Sequence, residues 1–295
     1  MARLKQLLFM KSRNTIEHLR VFFCGILMGI ADAIPGISGG TIALLLGIYE
    51  ELIGSISNFN INLFQNLKNK GIKYCWNKIN GNFLLSLISG VLLSLVSFVK
   101  IFSILIQKYP LFIWSFFLGL ILATLFVIRR NIKKWDIVNF ILIFIFTFLT
   151  ILLSIINPSI SENINLFYIL ICGIIASSAM ILPGISGSLI LVILGVYSLI
   201  INALDKLEYN IILVFLIGCL IGIINFSKII KWLFHNYKDY TFSIMLGLVI
   251  GSIYTVWPWR KSFTDDVTNG YIFLSIIITI TGFAVIYTLE KISKK

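Results

Sequence analysis

A short motif that combines proline, glycine and serine occurs twice in this 295-residue chain. Residues 33–40 read Ala-Ile-Pro-Gly-Ile-Ser-Gly-Gly, and residues 181–188 read Ile-Leu-Pro-Gly-Ile-Ser-Gly-Ser. Proline and glycine favour a chain reversal, and the serine that follows is a good N-cap for a helix that begins there. A helix N-terminus offers free N–H groups and a positive dipole end, and glycines let a ligand approach the backbone. The pattern therefore predicts anion binding, with phosphate as the favoured ligand.

The polar and turn residues of both motifs are the candidate ligands of that phosphate. In the first copy they are Pro35, Gly36, Ser38, Gly39, Gly40 and Thr41. In the second copy they are Pro183, Gly184, Ser186, Gly187 and Ser188. Ser38 in the first copy and Ser186 in the second can each serve as an N-cap.

Four charged residues outside the repeated letters are further candidates. Lys100 and Lys228 occupy equivalent places near the ends of equivalent apolar runs, where a lysine either receives a phosphate or simply snorkels to the lipid headgroups. Asp32 directly precedes the first motif, and Glu50 follows it. A carboxylate at membrane depth is costly, so both are candidates for proton exchange during transport, Asp32 above all. Glu50 is followed by Glu51, so a solvated position explains it equally well.

The composition excludes an ordinary soluble domain. Hydrophobic residues make up 59% of the chain and charged residues 12%, and the mean hydropathy is +1.00. The net charge of +12 is typical of nucleic-acid binders, but the basic residues border apolar runs about 20 residues long, the length that crosses a bilayer. Such borders fix the orientation of membrane proteins. We therefore expect an all-α integral membrane protein with many spans, and no nucleic-acid partner.

The register of the two motifs extends well beyond them. Equivalent pairs include Gly25 and Gly173, Tyr49 and Tyr197, Gly90 and Gly218, Lys100 and Lys228, and Tyr109 and Tyr237. One architecture thus occurs twice, as repeat 1 at 21–128 and repeat 2 at 169–256, within a single membrane domain. The basic segment 1–20 and the apolar stretch after it resemble a signal peptide, but the recurrence in mid-chain excludes that interpretation.

Each repeat is predicted to begin with a re-entrant helical hairpin, at 21–56 and 167–204. Its first apolar arm of about 15 residues reaches only about 22 Å, short of a hydrocarbon core of about 30 Å. The arm breaks at Pro-Gly and continues in a second apolar arm. The alternative is that Pro35 and Pro183 merely kink packed helices. The remaining apolar runs are predicted spans, at 83–106, 111–128, 137–156, 211–230, 241–258 and 271–289.

The charge distribution predicts that the two repeats are inverted. When each hairpin returns to its starting side, the basic segments all lie on the cytoplasmic side: the arm 1–20, the loops 57–82, 129–136 and 231–240, and the C-terminal tail. Each repeat then contributes an even number of crossings, so the single span 137–156 turns repeat 2 upside down. Lys100 is expected toward the outer leaflet and Lys228 toward the inner. Inverted repeats with broken helices are a recurrent transporter design, with the binding site near mid-membrane.

Residues 28–41, which read Met-Gly-Ile-Ala-Asp-Ala-Ile-Pro-Gly-Ile-Ser-Gly-Gly-Thr, and residues 46–50, Leu-Gly-Ile-Tyr-Glu, resemble the signature of the PopT family of polyprenyl-phosphate transporters. This family was long catalogued as a domain of unknown function. The second motif and the repeat order fit it too, so the resemblance covers most of the chain. It implies a protein of the bacterial cytoplasmic membrane that returns undecaprenyl phosphate from the outer to the inner leaflet. The candidate site residues rest on the repeat rather than on the resemblance.

Two other functions remain open at this point. A secondary transporter of a small anion would need the same helix termini and lysines. Undecaprenyl pyrophosphate phosphatases also pair inverted hairpins with a Pro-Gly-x-Ser motif, but hydrolysis needs a nucleophile beside a charge-stabilising arginine. Here Gly39 and Gly187 follow the serines, and neither motif contains Arg, Lys or His, so we expect a transporter and not an enzyme. No His, Cys or carboxylate cluster has metal-ligand spacing, so we expect neither metal nor cofactor; the expected partners are the lipid and the bilayer, and the oligomeric state stays open.

Overall fold

A computed structural model describes residues 14–32, 38–155, 165–259 and 269–293, most of which are helical. These ranges contain thirteen helices and no β-strand, which confirms the predicted all-α class. The helices are α1 (Thr15–Asp32), α2 (Gly39–Leu45), α3 (Tyr49–Ser57), α4 (Ile61–Lys78), α5 (Gly81–Lys108), α6 (Pro110–Asn131), α7 (Ile137–Ile155), α8 (Leu166–Ile181), α9 (Gly187–Ile193), α10 (Tyr197–Asp205), α11 (Tyr209–Asn236), α12 (Lys238–Val256) and α13 (Asn269–Ser293).

Within the described residues, four helices are long and apolar enough to cross a membrane, namely α6, α7, α11 and α12. Three further pairs reach that length and apolarity together but bend at a short break, so the number of spans is four to seven. The bent pairs are α2 with α3, Gln65–Lys78 of α4 with Gly81–Leu95 of α5, and α9 with α10. Each of the six predicted spans overlaps one helix between α5 and α13. The chain is therefore a multi-pass membrane protein.

The two halves of the chain contain helices of matching length. Both α2 and α9 have seven residues, both α3 and α10 have nine, and both α5 and α11 have 28. The backbone between the long helices matches as well: Tyr109 has φ −135° and ψ 52°, and Tyr237 has φ −136° and ψ 50°. The repetition that the sequence shows is thus accompanied by a repetition of local structure.

The hairpin segments differ from the prediction in two respects. Helix α1 begins at Thr15, inside the predicted basic arm, and its 18 residues extend about 27 Å. The second arm of each hairpin is not one continuous helix. The chain bends by 119° between α2 and α3 and by 108° between α9 and α10. Gly47 and Gly195 cause this break: both have φ 71°, a left-handed conformation that glycine adopts readily and that ends a helix. The predicted reversal at Pro35 and Gly36 lies outside the described residues.

Each repeat packs its first helix against its 28-residue helix, α1 on α5 and α8 on α11. Helix α6 packs on α13, and α12 packs on α7 in the same manner. The halves join where α6 contacts α12 and where α3 of the first half contacts α11 of the second. The long helices therefore form a frame that holds the short motif helices between them.

Glycines make the close helix crossings of this frame possible. A Cβ on Gly25 would lie 2.1 Å from a carbonyl oxygen of α5, and one on Gly90 would lie 2.1 Å from a carbonyl oxygen of α1. The equivalent Gly173 and Gly218 would bring a Cβ to 2.6 and 2.3 Å from carbonyl oxygens across the α8–α11 crossing. Membrane helices associate largely through such small residues, because lipid removes the hydrophobic driving force between them.

We predict that Gly90→Val separates α1 from α5 and destabilises the protein by about 3 kcal/mol, the upper range for an overpacked contact that cannot yield. Ser89→Val on the exposed neighbouring position is the matched control, since it has the same β-branched side chain without the backbone clash. Thermal unfolding of the purified protein in detergent measures the difference. Equal unfolding midpoints for the two variants would contradict the crossing.

Candidate functional site

The free N–H groups at the N-terminus of α2 find hydrogen-bond acceptors within their own repeat. Ser38 is the N-cap, and its Oγ accepts a hydrogen bond from the Gly40 N–H at 3.1 Å, which confirms the predicted capping role. The Gly39 N–H donates to Oδ1 of Asp32 at 2.6 Å. An anionic side chain of the chain itself therefore lies where the sequence predicts a bound phosphate.

Side chains of the first repeat cap the last turn of α8 in the second repeat. The Ser38 hydroxyl shares its one hydrogen between the carbonyl oxygens of Met180 and Leu182, at 3.0 and 3.2 Å. The Tyr49 hydroxyl donates to the carbonyl oxygen of Ile181 at 3.0 Å. The carbonyls at a helix end have no intrahelical donor, so these bonds supply partners that α8 cannot supply itself.

Thr41 connects the two motifs directly. Its Oγ1 accepts a hydrogen bond from the Gly184 N–H at 2.9 Å, and both groups are buried. The backbones approach closely as well, since a Cβ on Gly40 would lie 2.6 Å from the Ile181 carbonyl oxygen. The structure thus brings residues of both predicted motifs into hydrogen-bonding contact.

The second motif has more open polar groups than the first. Ser186 occupies the N-cap position of α9 but makes no capping bond; its hydroxyl lies 2.7 Å from that of Ser188. Among the described residues, the N–H groups of Gly187 and Ser188 have no hydrogen-bond partner. Gly187 and Ser188 are partly exposed, whereas Gly39 and Gly40 are buried. The groups best placed to accept a ligand are therefore those of the second motif.

The capping of a helix end by side chains of the other repeat occurs in one direction only among the described residues. Tyr49 is 1% exposed, and the equivalent Tyr197 is 38% exposed, with no hydrogen bond from its hydroxyl to any described residue. The position equivalent to Thr41 is occupied by Leu189, which has no hydroxyl. Side chains of the first motif and of Tyr49 cap the end of α8, whereas among the described residues no side chain of the second motif, nor Tyr197, bonds to the first repeat.

Glu50 lies away from this junction. Its Oε1 forms an ion pair with Lys238 Nζ at 2.7 Å, and both side chains are about half exposed. Exposed ion pairs of this kind contribute little to stability. The two carboxylates that the sequence singles out therefore differ, because Asp32 contacts a motif N–H and Glu50 contacts a surface lysine.

The remaining candidates are only partly described. Lys228 is half-buried on α11, one turn before Lys231, whose Nζ donates to Ser57 Oγ at 3.0 Å. Lys100 lies on α5, but its side chain is outside the described residues, as are Pro35 and Gly36. Pro183 and Gly184 form the turn between α8 and α9. Across the described ranges, no group of three or more His, Cys, Asp or Glu side chains has the arrangement of a metal site.

Tyr49 is the residue of the junction that was not among the predicted site residues. The signal for it is present in the sequence, because tyrosine recurs at the equivalent position 197 while most surrounding apolar residues differ in type. A buried hydroxyl is costly without a partner, so a repeated tyrosine in an apolar hairpin indicates a specific acceptor. The acceptor itself, a carbonyl of the other repeat, follows only from the three-dimensional arrangement.

We predict that Tyr49→Phe lowers the unfolding free energy by about 1–3 kcal/mol, because the Ile181 carbonyl is left buried without this donor. Tyr197→Phe is the matched control and should leave the unfolding midpoint unchanged. Thermal unfolding of both variants in the same detergent tests the pair. Equal effects of the two substitutions would show that the hydroxyl of Tyr49 does not hold the repeats together.

Comparisons with known proteins agree in naming one family. The VCA0040-like family, described as undecaprenyl phosphate translocase-like, matches residues 28–271. A protein of Vibrio cholerae named polyprenyl-phosphate transporter is 37% identical over 256 residues, which cover 87% of this chain and 83% of that protein. A protein of Staphylococcus aureus with the same name is 33% identical over 288 residues, covering 91% of this chain and 95% of the relative. No solved structure matches the chain. On the extent of these matches, the chain belongs to the undecaprenyl phosphate translocase-like family.

Proposed function

We propose that this protein is a flippase that moves undecaprenyl phosphate from the outer to the inner leaflet of the bacterial cytoplasmic membrane. The observation that carries the proposal is the contact between the two Pro-Gly-Ile-Ser motifs, one from each repeat, inside a multi-pass helical protein. Two relatives that share most of the chain are named polyprenyl-phosphate transporters, which supports a lipid phosphate as the substrate and transport rather than hydrolysis as the activity.

The proposed topology has two inverted repeats, each with a re-entrant hairpin, and both chain termini in the cytoplasm. Single helix α7 lies between the repeats, which is what an inversion requires. The sharp bends after α2 and α9 support segments that turn back rather than cross the bilayer. In this arrangement the motif junction lies near mid-membrane, where transporters of this design bind their substrates.

The phosphate headgroup is proposed to bind first at Ser186, Gly187 and Ser188. The N–H groups of Gly187 and Ser188 have no partner among the described residues, and the two serine hydroxyls bond to each other, so a phosphate that accepts several charge-assisted hydrogen bonds can engage them together. The polyprenyl tail remains in the bilayer throughout. Lys228 and Lys100 are proposed to receive the headgroup on the inner and outer sides respectively.

Asp32 is proposed to couple proton exchange to the binding of phosphate at the first motif. Its carboxylate already accepts the Gly39 N–H, so a phosphate can take that donor only after the carboxylate leaves. Two anions competing for one donor repel each other, and a proton on Asp32 removes both the repulsion and the need for the bond. Phosphate binding at the first motif and proton binding at Asp32 therefore favour each other.

The transport proposal is tested in liposomes that contain the purified protein and undecaprenyl phosphate, with headgroup accessibility followed on each leaflet. We expect accelerated exchange, and a loss of about tenfold or more in the double variant Ser186→Ala/Ser188→Ala, since a hydrogen bond to a charged group contributes about 1.5–3 kcal/mol. Ser198→Ala, on an exposed position of the same hairpin, is the matched control.

Parallel assays separate the other functions. Phosphate release from undecaprenyl pyrophosphate would identify a hydrolase, and uptake of inorganic phosphate without lipid exchange would identify a carrier of small anions. Either result would contradict the flippase.

Asp32→Asn tests the coupling. We expect wild-type exchange to slow as pH rises, because deprotonated Asp32 retains the Gly39 N–H, and we expect the asparagine variant to lose this dependence. Glu50→Gln removes a carboxylate of the same repeat and should leave the pH profile unchanged, because Glu50 pairs with Lys238 outside the junction. An Asp32→Asn variant with the wild-type pH profile would refute the role of Asp32.

A further inference from the structure

Helix α4 is folded back on itself. Gly71 has φ 78° and ψ 171°, which interrupts the helix, and Cys75 Sγ donates to the carbonyl oxygen of Leu63 at 3.4 Å. These two residues are 12 positions apart and would be about 18 Å apart on a continuous helix. Residues 61–78 therefore form two short helical segments joined at Gly71, and we call this unit the α4 knuckle.

The α4 knuckle is fixed to the rest of the protein at its C-terminal end. Asn58 Nδ2 donates to the Lys78 carbonyl oxygen at 2.7 Å, and Trp76 Nε1 donates to Asn82 Oδ1 at 2.8 Å. Cys75 is buried, whereas most of the other described side chains of the unit are exposed. One end is thus held between the end of α3 and the start of α5, and the break at Gly71 lies on the exposed side.

The exposed surface of the α4 knuckle is both apolar and positively charged. Ile72, directly after the break, is 75% exposed, and Leu67 and Tyr74 are exposed as well. The exposed lysines are Lys68, Lys70 and Lys73. Lys70 Nζ lies 4.8 Å from the centre of the Tyr74 ring, a cation–π contact across the break. The sequence contains no Asp or Glu between Glu51 and Asp136, so no acidic residue of this stretch offsets the charge.

The chain places this surface at the edge of a span. Helix α5 begins at Gly81, three residues after α4 ends, and Gln65–Lys78 of α4 and Gly81–Leu95 of α5 form a pair bent by 54°. Because the apolar helix α5 starts three residues later, the unit lies beside the boundary of the bilayer. Exposed apolar side chains next to lysines are the combination found on segments that lie in the membrane–water interface.

We propose that the α4 knuckle is a docking surface for the anionic phospholipids of the adjoining leaflet. Ile72 enters the boundary between headgroups and acyl chains, and Lys68, Lys70 and Lys73 contact lipid phosphates. The lipid surface is the occupant that fits, because it alone offers an apolar layer and a negative layer at the depth where the knuckle is held. Through Asn58 and Lys78 this contact fixes the height of α3 and of the start of α5 in the membrane. It holds whether or not the protein transports polyprenyl phosphate.

The test uses the full chain with an environment-sensitive fluorescent amino acid in place of Ile72, reconstituted into vesicles. One set contains phosphatidylcholine alone, and the other contains equal parts of phosphatidylcholine and phosphatidylglycerol. We expect a blue-shifted emission, quenched by brominated lipid, in the mixed vesicles. Lys68→Gln/Lys73→Gln should reduce the docked-to-undocked ratio about 30-fold, since each lysine near an anionic surface contributes roughly fivefold. Lys133→Gln/Lys134→Gln removes the same charge from exposed positions elsewhere and should not change the emission.

A water-like emission in both kinds of vesicle would overturn the proposal, because position 72 would then remain in water. Equal emission in the two kinds of vesicle, unaffected by the lysine substitutions, would also overturn it, because only apolar insertion would remain. A second measurement needs no label: the unlabelled wild type should retain more phosphatidylglycerol on purification from the mixed vesicles than Lys68→Gln/Lys73→Gln does. Equal retention would contradict the docking surface even if the labelled chain failed to fold.

Discussion

The carbonyl groups at the C-terminal end of α8 need hydrogen-bond donors, and the rest of the arrangement depends on how that need is met. The hydrogen bond to the Ile181 carbonyl is buried and those to the Met180 and Leu182 carbonyls are partly buried. An unpaired buried carbonyl costs several kcal/mol in the worst case and about 1–3 kcal/mol by mutational measures. The donors come from the other repeat, through Ser38 and Tyr49. This requirement fixes the position of α2 and α3 against α8, and the glycine crossings of α1 with α5 and of α8 with α11 hold the longer helices at the spacing that allows it.

Much of this could be predicted from the sequence, because the signals are periodic or repeated. The apolar runs located the long helices, and the doubled motif located the residues that meet at the junction. The break inside each second arm was missed, although Gly47 and Gly195 recur in register; a single glycine within an apolar run is compatible with a helix unless its φ is known. Segment 57–82 was predicted as a loop, so helix α4 itself was missed, because its polar residues lack the apolar periodicity that marks a helix; its fold-back is seen in the backbone angles of Gly71 and in the contact between Cys75 and Leu63.

The hydrogen-bond partners of the site residues could not be predicted from the sequence. A serine at an N-cap is expected to accept a hydrogen bond from an N–H group of its own helix, and Ser38 accepts one from Gly40. Nothing in the pattern indicates that the same hydroxyl donates across the repeats while its equivalent, Ser186, turns to Ser188. Similar motifs in two repeats can have different hydrogen-bond partners when the two halves adopt different arrangements. The sequence shows which side chains can form hydrogen bonds, but not which partner each one has.

That difference between the halves bears on how a transporter of this design works. Two chemically similar motifs that were bonded identically would present equal sites, and a substrate would gain nothing by moving from one to the other. Here the first motif is closed by Asp32 and by its bonds to α8, while the second has N–H groups without a partner among the described residues and a serine pair of which Ser188 is partly exposed. Under the proposed function, the open motif is the one that receives the headgroup in this state. Passage to the first motif then requires Gly39 to exchange one anion for another, and a proton on Asp32 makes that exchange possible without leaving an unpaired buried charge.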